Sequence, residues 1–554
     1  MLLNVEINGR TVSGRRDETI LDLLNRNGIK VPTLCFMEGF VSTGSCRMCV
    51  VEVEGRTDLV PACAQPVEEW MKIWTHTPRV IRARKTLVEL LMANHPDDCM
   101  YCTRSGICDL QDMADELMIN DRKFLTRKKP GRIDNSCPSI ERDISKCILC
   151  NRCVRVCNET IGVSAIEIVG RGANSTIGTS FNKGLNEKAC VKCGQCIMVC
   201  PTDALKETQS YQKIIDALSN KDFHCVIQIS PSVLVSIGEE LGLKTGKDIL
   251  GFIRTALYRI GFKQVFDTAF AADLTITETA HDFVKRFKEH GQLPMFSSCC
   301  PSWTRYVELF MPDLARNITI AKSPQQMMGS LIKEYYGPRT SIPPKNIFSV
   351  SVMPCTAKKY EAENVRLSGN NTRVIDSVIT TREFIKLIRF YGIDFTTLEP
   401  EVTENYFNMQ SSAGRLVGNA GGTLESVIRT IHFKLTGEEM HNYKVNELRG
   451  FKGRKELRLK IGKTLFGFAA VSGLANVIAL LEEIKAGRTD LHFVEVMACP
   501  NGCINGGGQR LRTDEKTMKA RMRALYETDE EDIIRAAHKN RLVGELYPHL
   551  MEKI

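Results

Sequence analysis

Cysteine carries most of the chemistry that this sequence is able to perform. The chain contains 22 cysteines in 554 residues, and most of them stand in short C-x-x-C runs. A fraction of about 4% is too low for a small disulfide scaffold, whereas clustered thiols suit metal or iron–sulfur binding in a reducing compartment. The sequence therefore predicts metal or redox chemistry, and the spacing within each run indicates the kind of centre.

The first group of cysteines has one close pair and two distant members. Its spacing is C-x10-C-x2-C-x13-C, and the tight turn Gly44–Cys49 can wrap backbone amides around a sulfur-rich centre. Four thiolates in this arrangement suit a [2Fe–2S] cluster, with a structural zinc site as the alternative. The segment resembles the plant-type ferredoxin fold. Its expected ligands are Cys35, Cys46, Cys49 and Cys63.

A second group combines one histidine with three cysteines in the spacing H-x3-C-x2-C-x5-C. One imidazole and three thiolates can hold either zinc or a [4Fe–4S] cluster, and the neighbouring [2Fe–2S] unit favours the cluster. The segment resembles the His/Cys cluster module in the large iron–sulfur subunit of NADH-ubiquinone oxidoreductase. Its expected ligands are His95, Cys99, Cys102 and Cys108.

Residues 140–206 contain an internal repeat of the spacing C-x2-C-x2-C-x3-C. This is the pattern of bacterial two-cluster ferredoxins, in which the fourth cysteine of each run binds the other cluster. The second copy ends in Cys-Pro and the first in Cys-Asn, a small departure. The expected ligand sets are Cys147, Cys150, Cys153 and Cys200 for one [4Fe–4S] cluster, and Cys190, Cys193, Cys196 and Cys157 for the other.

Four small clusters in succession form a chain for electron transfer. The elements that follow residue 210 indicate where this chain ends. Apolar strand-like runs alternate with helical stretches there, which is typical of an α/β domain. We predict buried strands at His224–Ser230, Asn346–Met353 and Leu491–Met497, and the last two stop at a cysteine. Because the carboxyl ends of strands line the binding crevice in open α/β sheets, four dispersed cysteines can converge on one cluster here.

Composition and charge exclude several classes of protein. The termini and apolar runs predict no signal peptide and no membrane span, so a cytoplasmic protein is expected. The net charge of +9 does not indicate nucleic acid, because thiolate-bound clusters are anionic and offset it. We interpret the basic stretch Arg122–Arg132 as a solvated linker.

Three segments after residue 290 resemble the signature motifs of the iron-only ([FeFe]) hydrogenases. They read FSSCCPSW at 296–303, MPCTAKKYE at 353–361 and EVMACPNGCINGGG at 495–508. With the upstream modules, the resemblance is to the form with four accessory clusters and covers residues 1 to about 510. It implies an H-cluster, in which a [4Fe–4S] part is bridged by Cys503 to a di-iron subsite with CO, cyanide and azadithiolate ligands. The implied cysteine ligands are Cys300, Cys355, Cys499 and Cys503.

The resemblance also assigns roles to the neighbours of these cysteines. Cys299 matches the family's first proton-relay thiol, and Lys358 is placed to donate to a cyanide ligand and offset its charge. The alternatives are an inert buried cysteine for Cys299 and an ordinary surface lysine for Lys358. The implied contacts of the di-iron subsite are Pro231 and Ser232 against the cyanides, and Gln325, Met353 and Met497 against the distal site.

The sequence differs from the family pattern at positions that are further from the expected H-cluster, along the proton route. The best-known members carry two glutamates joined by a serine as the proton route. Here the matching stretch reads Glu278-Thr279-Ala280-His281-Asp282, and the serine position corresponds to Thr319. Glu278 and Asp282 are four residues apart and share a helix face, so we expect either a substitute route through them or transfer by water.

The predicted fold class is multidomain, α+β and α/β. The units are a ferredoxin-like β-grasp at 1–80, a His/Cys helical module at 81–126, a two-[4Fe–4S] ferredoxin module at 127–209, a two-lobed H-cluster catalytic domain at 210–510 and a C-terminal helical extension at 511–554. Cys137 and Cys225 remain unassigned and are interpreted as structural.

The resulting hypothesis is a hydrogenase catalysing 2H⁺ + 2e⁻ ⇌ H₂, with electrons relayed to or from ferredoxin or a similar carrier. A low-turnover hydrogen sensor and a non-catalytic iron–sulfur assembly factor are the alternatives. Hydrogenase maturation proteins and an additional redox subunit are further expected partners. The direction of the reaction is not readable from sequence, because hydrogen bonds and burial tune cluster potentials.

Overall fold

The structure is a computed structural model. It describes residues 2–121, 123–124, 126, 131, 133–187, 189–238, 240–241, 249–364, 373–401, 406–407 and 409–551. Most of the predicted basic linker Arg122–Arg132 lies outside the described residues. Of the described helices, none has the length and apolar character needed to cross a membrane.

The N-terminal unit is a five-stranded sheet covered by one helix. Leu3, Val5 and Ile7 alternate along the first strand and point into the core, which is the period expected of a half-buried strand. Thr19 begins the helix with a capping box to Asp22. The sheet order is β2-β1-β5-β3-β4. The elements are β1 Leu2–Ile7, β2 Arg10–Arg15, α1 Ile20–Arg26, β3 Val50–Val53, β4 Val60–Pro61 and β5 Lys72–Trp74.

Two small cluster modules follow. The first consists of two packed helices, and the second has a three-stranded antiparallel sheet, a two-stranded hairpin and two short helices at its cysteine runs. The elements are α2 Pro78–Asn94, α3 Asp109–Glu116, β6 Ile133–Asp134, β7 Ile140–Asp143, α4 Arg152–Arg155, β8 Glu167–Val169, β9 Thr176–Gly178, α5 Gln195–Val199 and β10 Leu205–Glu207.

The first lobe of the large domain is built on a four-stranded, fully parallel sheet in the order β12-β11-β14-β15. Its strands are buried on both faces, as expected when helices cover a parallel sheet. The elements between residues 211 and 390 are α6 Tyr211–Ser219, β11 His224–Ile229, α7 Pro231–Ile237, α8 Ile249–Ile260, β12 Gln264–Asp267, α9 Thr268–Lys288, β13 Met295–Phe296, α10 Pro301–Phe310, α11 Pro324–Ser330, α12 Gly337–Arg339, β14 Ile347–Met353, α13 Ala357–Glu363, β15 Ser377–Thr380 and α14 Thr381–Phe390. Strand β13 lies in this part of the sequence but belongs to the sheet of the second lobe.

The second lobe is built on a mixed sheet in the order β13-β18-β17-β16. Only the β16–β17 hairpin is antiparallel, and its partner strands run parallel. The elements are α15 Ser412–Leu416, α16 Gly422–Thr436, β16 Arg454–Ile461, β17 Thr464–Ser472, α17 Leu474–Lys485 and β18 Phe493–Met497. The predicted two-lobed α/β architecture is therefore confirmed, and the three predicted strands appear as β11, β14 and β18.

The C-terminal residues form two helices that pack on the large domain, α18 Glu515–Glu531 and α19 Arg541–Met551. Asp529 of α18 is fully buried and pairs with Arg429 of α16 at 2.7 Å. Leu525 and Leu546 are also buried. The extension is therefore part of the large domain's packing.

Candidate functional site

One enclosed cavity of about 80 Å³ lies where the two lobes meet. It is reached by the carboxyl ends of β11, β14 and β18, which is the usual position of a binding crevice in α/β sheets. Four of the predicted ligands line it together, although they are spread over two hundred residues of sequence. These are Cys300, Cys355, Cys499 and Cys503.

Burial shapes the chemistry of these thiols. It raises the pKa of Cys355 to about 12 and that of Cys499 well above the ordinary thiol value. Burial also raises the pKa of Cys503. A dry pocket disfavours thiolate anions unless a cation sits beside them. Four thiols around one cavity are thus the donor set that iron bound by thiolate requires, and the residues fit an H-cluster.

The glycines after Cys503 allow the catalytic loop to touch an accessory cluster site. A Cβ atom on Gly507 would lie 2.2 Å from the carbonyl oxygen of Cys193. Gln195 donates to the carbonyl of Asn505 at 2.9 Å, and Thr356 donates to the carbonyl of Lys192 at 2.8 Å. Only glycine permits such a close backbone approach. The last accessory site therefore abuts the cavity.

Lys358 and Gln325 both line the cavity, as predicted, and a third residue holds them. Glu361 accepts from Lys358 Nζ at 2.8 Å and from Gln325 Nε2 at 3.0 Å. Sequence reasoning missed Glu361, although its i, i+3 spacing from Lys358 on α13 was a usable signal. The buried carboxylate orients both side chains towards the cavity.

The remaining predicted contacts, Pro231, Ser232, Met353 and Met497, also lie on the cavity wall. Gln509, which the sequence did not single out, ties two parts of that wall together. Its Nε2 donates to the carbonyl of Ser232 at 2.9 Å and to that of Cys503 at 3.2 Å. No spacing signal precedes it, because its role arises only when residues 277 positions apart meet.

Cys299 stands on the same wall. Burial raises the pKa of its thiol to about 12, the charge of Lys358 lowers it, and the charge of Glu495 raises it further. Glu495 is a third residue that the sequence reasoning missed. A carboxylate within the apolar run of β18 was the available signal, since buried charges are rare without a partner.

The two acids of the expected outer route lie on α9, but their hydrogen bonds lead in different directions. Asp282 accepts from Thr319 at 2.8 Å and forms a bidentate pair with Arg286. Glu278 instead accepts from the hydroxyl of Tyr547 on α19. The Thr279 hydroxyl donates back to the carbonyl of Thr275 at 2.7 Å. The structure thus joins Asp282 to Thr319 and places Glu278 against the C-terminal helix.

The four cysteines of the N-terminal unit lie close together. The thiols of Cys35 and Cys46 share a hydrogen bond, and Cys63 is bonded to both Cys35 and Cys49. Hydrogen bonding to Cys63 lowers the pKa of Cys49 to about 7 in spite of its burial. These contacts bring all four predicted [2Fe–2S] ligands together.

The His/Cys module places its four residues around the end of α2 and the start of α3. His95 caps the end of α2, with Nδ1 3.1 Å from the carbonyl oxygen of Pro96. Cys108 immediately precedes α3, and burial raises its pKa, with a further contribution from Cys99. Lys146 donates to the sulfur of Cys102 at 3.7 Å. A cation therefore lies against this site.

The two repeated runs exchange their fourth cysteines in space. One cavity is lined by Cys147, Cys150, Cys153 and Cys200. A second cavity is lined by Cys157, Cys190, Cys193 and Cys196. This is the grouping that the two-cluster ferredoxin spacing predicts.

Family comparisons cover nearly the whole chain. Residues 223–507 match the iron only hydrogenase large subunit, C-terminal domain. Residues 1–78 match a 2Fe-2S iron-sulfur cluster binding domain, and 84–123 match the NADH-ubiquinone oxidoreductase-G iron-sulfur binding region. Residues 137–206 match the ferredoxin-like domain of NADH-quinone oxidoreductase subunit 3. The first two modules therefore bind iron–sulfur clusters, and the zinc alternatives lose their support.

Individual relatives agree with these matches. The chain is 38% identical to NADP-reducing hydrogenase subunit HndD of Solidesulfovibrio fructosivorans, over 100% of this chain and 96% of that protein. It is 35% identical to iron hydrogenase 1 of Clostridium pasteurianum, over 99% of this chain and 96% of that protein. It is also 32% identical to mouse (Mus musculus) cytosolic iron-sulfur assembly component 3, over 63% of this chain and 78% of that protein.

Among solved structures, apo [FeFe]-hydrogenase HydA1 of Chlamydomonas reinhardtii superposes with a TM-score of 0.55 at 33% identity. The match covers 61% of this chain and 93% of that one. Full-length similarity to two hydrogenases, a family match over half of the chain and four cysteines around one cavity agree. The chain belongs to the iron-only hydrogenase family and is an oxidoreductase that acts on hydrogen.

Proposed function

We propose that this protein catalyses 2H⁺ + 2e⁻ ⇌ H₂ at an H-cluster held by Cys300, Cys355, Cys499 and Cys503. The observation that supports this assignment is the convergence of these four thiols, of which Cys355 and Cys499 are buried, on one cavity at the lobe interface. When bound, the H-cluster supplies an open iron position and an adjacent amine, at which hydrogen is formed or split. The protein supplies the thiolates, a dry enclosure and paths for charge.

The residues that line the cavity have separate roles. Lys358, held by Glu361, presents ammonium hydrogens to the anionic ligands of the di-iron subsite. Ser232 and Pro231 line the cavity and would lie against the same subsite, while Gln325, Met353 and Met497 would exclude water from its other side. Cys299 holds a proton on a thiol whose burial keeps it neutral. For the outer route, we propose Asp282 with Thr319, and treat Glu278 as a separate acid near Tyr547.

Electrons reach this site through one [2Fe–2S] and three [4Fe–4S] clusters in the units at 1–80, 81–126 and 127–209. The contact between Gly507 and Cys193 supports an exit from the last cluster into the catalytic loop. The external donor or acceptor is a ferredoxin or a similar carrier. A partner redox subunit is an added proposal, because one close relative is named as a subunit of an NADP-reducing hydrogenase. We propose a cytoplasmic location and dependence on hydrogenase maturation proteins.

The similarity to assembly components gives a second candidate, but it is weaker. Those relatives align with 59–71% of the chain, whereas the two full-length hydrogenases align with 99% or more. The first motif with Cys299, the buried Lys358 and the N-terminal modules all favour catalysis. A low-turnover sensor uses the same cluster, and only its rate distinguishes it from an enzyme.

The test is hydrogen evolution from reduced viologen by anaerobic protein that is co-produced with the hydrogenase maturation machinery. We expect fast evolution, together with infrared bands of bound CO and cyanide, and loss of both activity and bands in Cys503→Ala. Bands with very slow evolution would support the sensor. Protein without bands or hydrogen, although its accessory clusters are loaded, would support the assembly factor.

A further inference from the structure

A buried lysine contacts the His/Cys group, and the proposed electron route gives it no role so far. The side chain of Lys146 is 8% exposed. Its Nζ donates to the sulfur of Cys102 at 3.7 Å. The same atom pairs with Asp98 at 3.0 Å and with Asp203 at 3.5 Å. One ammonium group is therefore shared between a cysteine sulfur and two carboxylates.

Hydrogen bonds from neighbouring segments hold Lys146 in this place. The hydroxyl of Thr202 donates to the carbonyl of Lys146 at 2.7 Å. The hydroxyl of Thr103 donates to the second carboxylate oxygen of Asp203 at 2.6 Å. Thr202 also lines the neighbouring four-cysteine cavity. Lys146 thus lies where the His/Cys group adjoins the first site of the ferredoxin-like module.

The thiols of the His/Cys group are arranged as neighbours around this lysine. The N–H of Cys102 donates to the carbonyl of Cys99 at 3.2 Å, so these two cysteines share one turn. Burial raises the pKa of Cys108, and the charge of Cys99 raises it further. Three thiols that lie together suit an iron–sulfur centre, and Cys102 is the one that Lys146 contacts.

Lys146 is a cation at working pH. Burial alone would lower the pKa of its ammonium group, but the hydrogen bond to Asp98 and the charges of Cys102 and Asp203 raise it above the ordinary lysine value. The same charges act on the thiol. Burial raises the pKa of Cys102, Asp203 and Asp98 raise it further, and Lys146 lowers it. The cation and the two carboxylates therefore oppose each other at this sulfur.

A charge beside a bound cluster changes the reduction potential of that cluster. Reduction adds one negative charge, so a cation at hydrogen-bond distance from a ligand sulfur stabilises the reduced form, and a carboxylate destabilises it. Solvent and salt screen a buried charge less than an exposed one. The size of the effect depends on how far the carboxylates draw the ammonium group away from the sulfur.

We propose that Lys146 is a positioning residue that raises the reduction potential of the His/Cys iron–sulfur centre through Cys102, and that Asp98 limits this effect by sharing the ammonium group. The inference rests on the proposed electron route. In the step concerned, the centre takes up one electron from a reduced neighbouring cluster. Lys146 keeps all its protons, and no covalent bond forms or breaks.

The test is a redox titration of the full, cluster-loaded chain, followed by electron paramagnetic resonance. Cys108→Ala identifies the signal of the His/Cys centre by removing it. In Lys146→Met, the ratio of reduced to oxidised centre at the wild-type midpoint should fall about tenfold, which is a downward shift of about 59 mV for one electron. Lys146→Arg should keep most of the wild-type potential, because it keeps the charge. An unchanged potential in Lys146→Met with normal iron content would overturn the proposal.

Lys206 on β10 provides the matched control, because its ammonium group pairs with Glu141 at 2.8 Å. Lys206→Met should change the same ratio by less than about twofold. A shift as large as that of Lys146→Met would show that any nearby positive charge has this effect, and would overturn the role of the contact with Cys102.

A further variant covers the case in which Lys146→Met fails to fold because Asp203 loses its partner. Asp98→Asn keeps the lysine, and the side chain of Asp98 is 40% exposed. Here the potential should rise, with an increase of about threefold in the ratio of reduced to oxidised centre, because one carboxylate fewer shares the ammonium group. A purely structural role would not reverse the sign. A fall or no change in Asp98→Asn would contradict the proposal.

Hydrogen evolution measured on the same preparations separates this inference from the proposed function. Unaltered titrations of the accessory centres without hydrogen evolution would overturn the hydrogenase function and leave the role of Lys146 standing. If Cys108→Ala removed no resonance signal, the centre on which Lys146 acts would be absent, and the proposal for Lys146 would be wrong.

Discussion

The accessory modules and the catalytic cavity use cysteine in two different ways. In the two-cluster module, three ligands of each cluster come from one run of seven residues, and the fourth cysteine comes from the other run. In the cavity, Cys300, Cys355 and Cys499 each follow a different strand or loop. A site built mainly from one short run of cysteines can be recognised from their spacing in the sequence. A site whose cysteines come from distant segments depends on the fold of the whole α/β domain. The catalytic site should therefore be sensitive to distant changes, and the modules should not.

The largest effect on activity is expected for Cys503, one of the four cysteines that come together around the cavity. Cys503→Ala removes the thiolate that joins the two parts of the proposed H-cluster, so hydrogen evolution should fall to background. The accessory clusters should keep their electron paramagnetic resonance signals, because their ligands are local. Loss of the accessory signals as well would contradict the separation of the two regions.

The next test concerns the two ferredoxin-like runs, each of which supplies its fourth cysteine to the other run's cluster site. Cys200→Ala should weaken or remove the cluster that Cys147, Cys150 and Cys153 share with it, and should leave the neighbouring cluster intact. Cys157→Ala is the matched control and should affect the other cluster. Iron content and the resonance spectra of reduced protein separate the two results. If each variant lost the cluster of its own run, the crossed grouping would be wrong.

The features that could be predicted from the sequence are those set by local pattern, and the features that could not are those that depend on contacts between distant segments. The strands β11, β14 and β18 follow from local pattern and propensity, and the sequence predicted them. Glu361 and Gln509 were not predicted, because their importance arises from contacts between distant segments. A carboxylate in β18 was visible in the sequence, but only the folded chain shows that it lies buried on the cavity wall.

The C-terminal extension tests whether remote packing supports the cavity. Asp529 is buried, yet hydrogen bonding and charge from Arg429 hold its pKa at about 2. Asp529→Ala removes one of the two buried carboxylates that Arg429 and Arg449 share, the other being Glu425. One buried positive charge is then left uncompensated, which should cost about 3–5 kcal/mol of unfolding free energy. Because the pKa is lowered on folding, the wild-type contribution is present above about pH 4 and is lost as pH falls towards 2.

The measurement for Asp529→Ala is thermal unfolding followed in the large domain, with accessory-cluster absorbance as the internal control. Only the large-domain transition should move at pH 7, and the difference between variant and wild type should shrink in acid. Equal destabilisation of the cluster modules would show that the chain unfolds as one unit.

Glu361 offers a smaller effect within the cavity itself. Glu361→Gln keeps the shape but removes the charge that orients Lys358 and Gln325. Loss of a residue that supports a metal-site neighbour usually costs about 10–100-fold in activity. We expect a loss near the lower end, with shifted cyanide bands and normal iron content. Unshifted cyanide bands would show that Lys358 does not need this carboxylate.

The smallest effect is expected on the α9 side of the cavity, where Thr279→Glu restores an acid. A positioned acid or base contributes about 10²–10⁴-fold when it is the only one available. Because Asp282 with Thr319 is already proposed to carry protons on this side, the added glutamate should change turnover by no more than a few-fold. In an Asp282→Asn background the same substitution should restore part of the lost rate. A large gain in the otherwise unaltered protein would mean that proton transfer along α9 limits the enzyme.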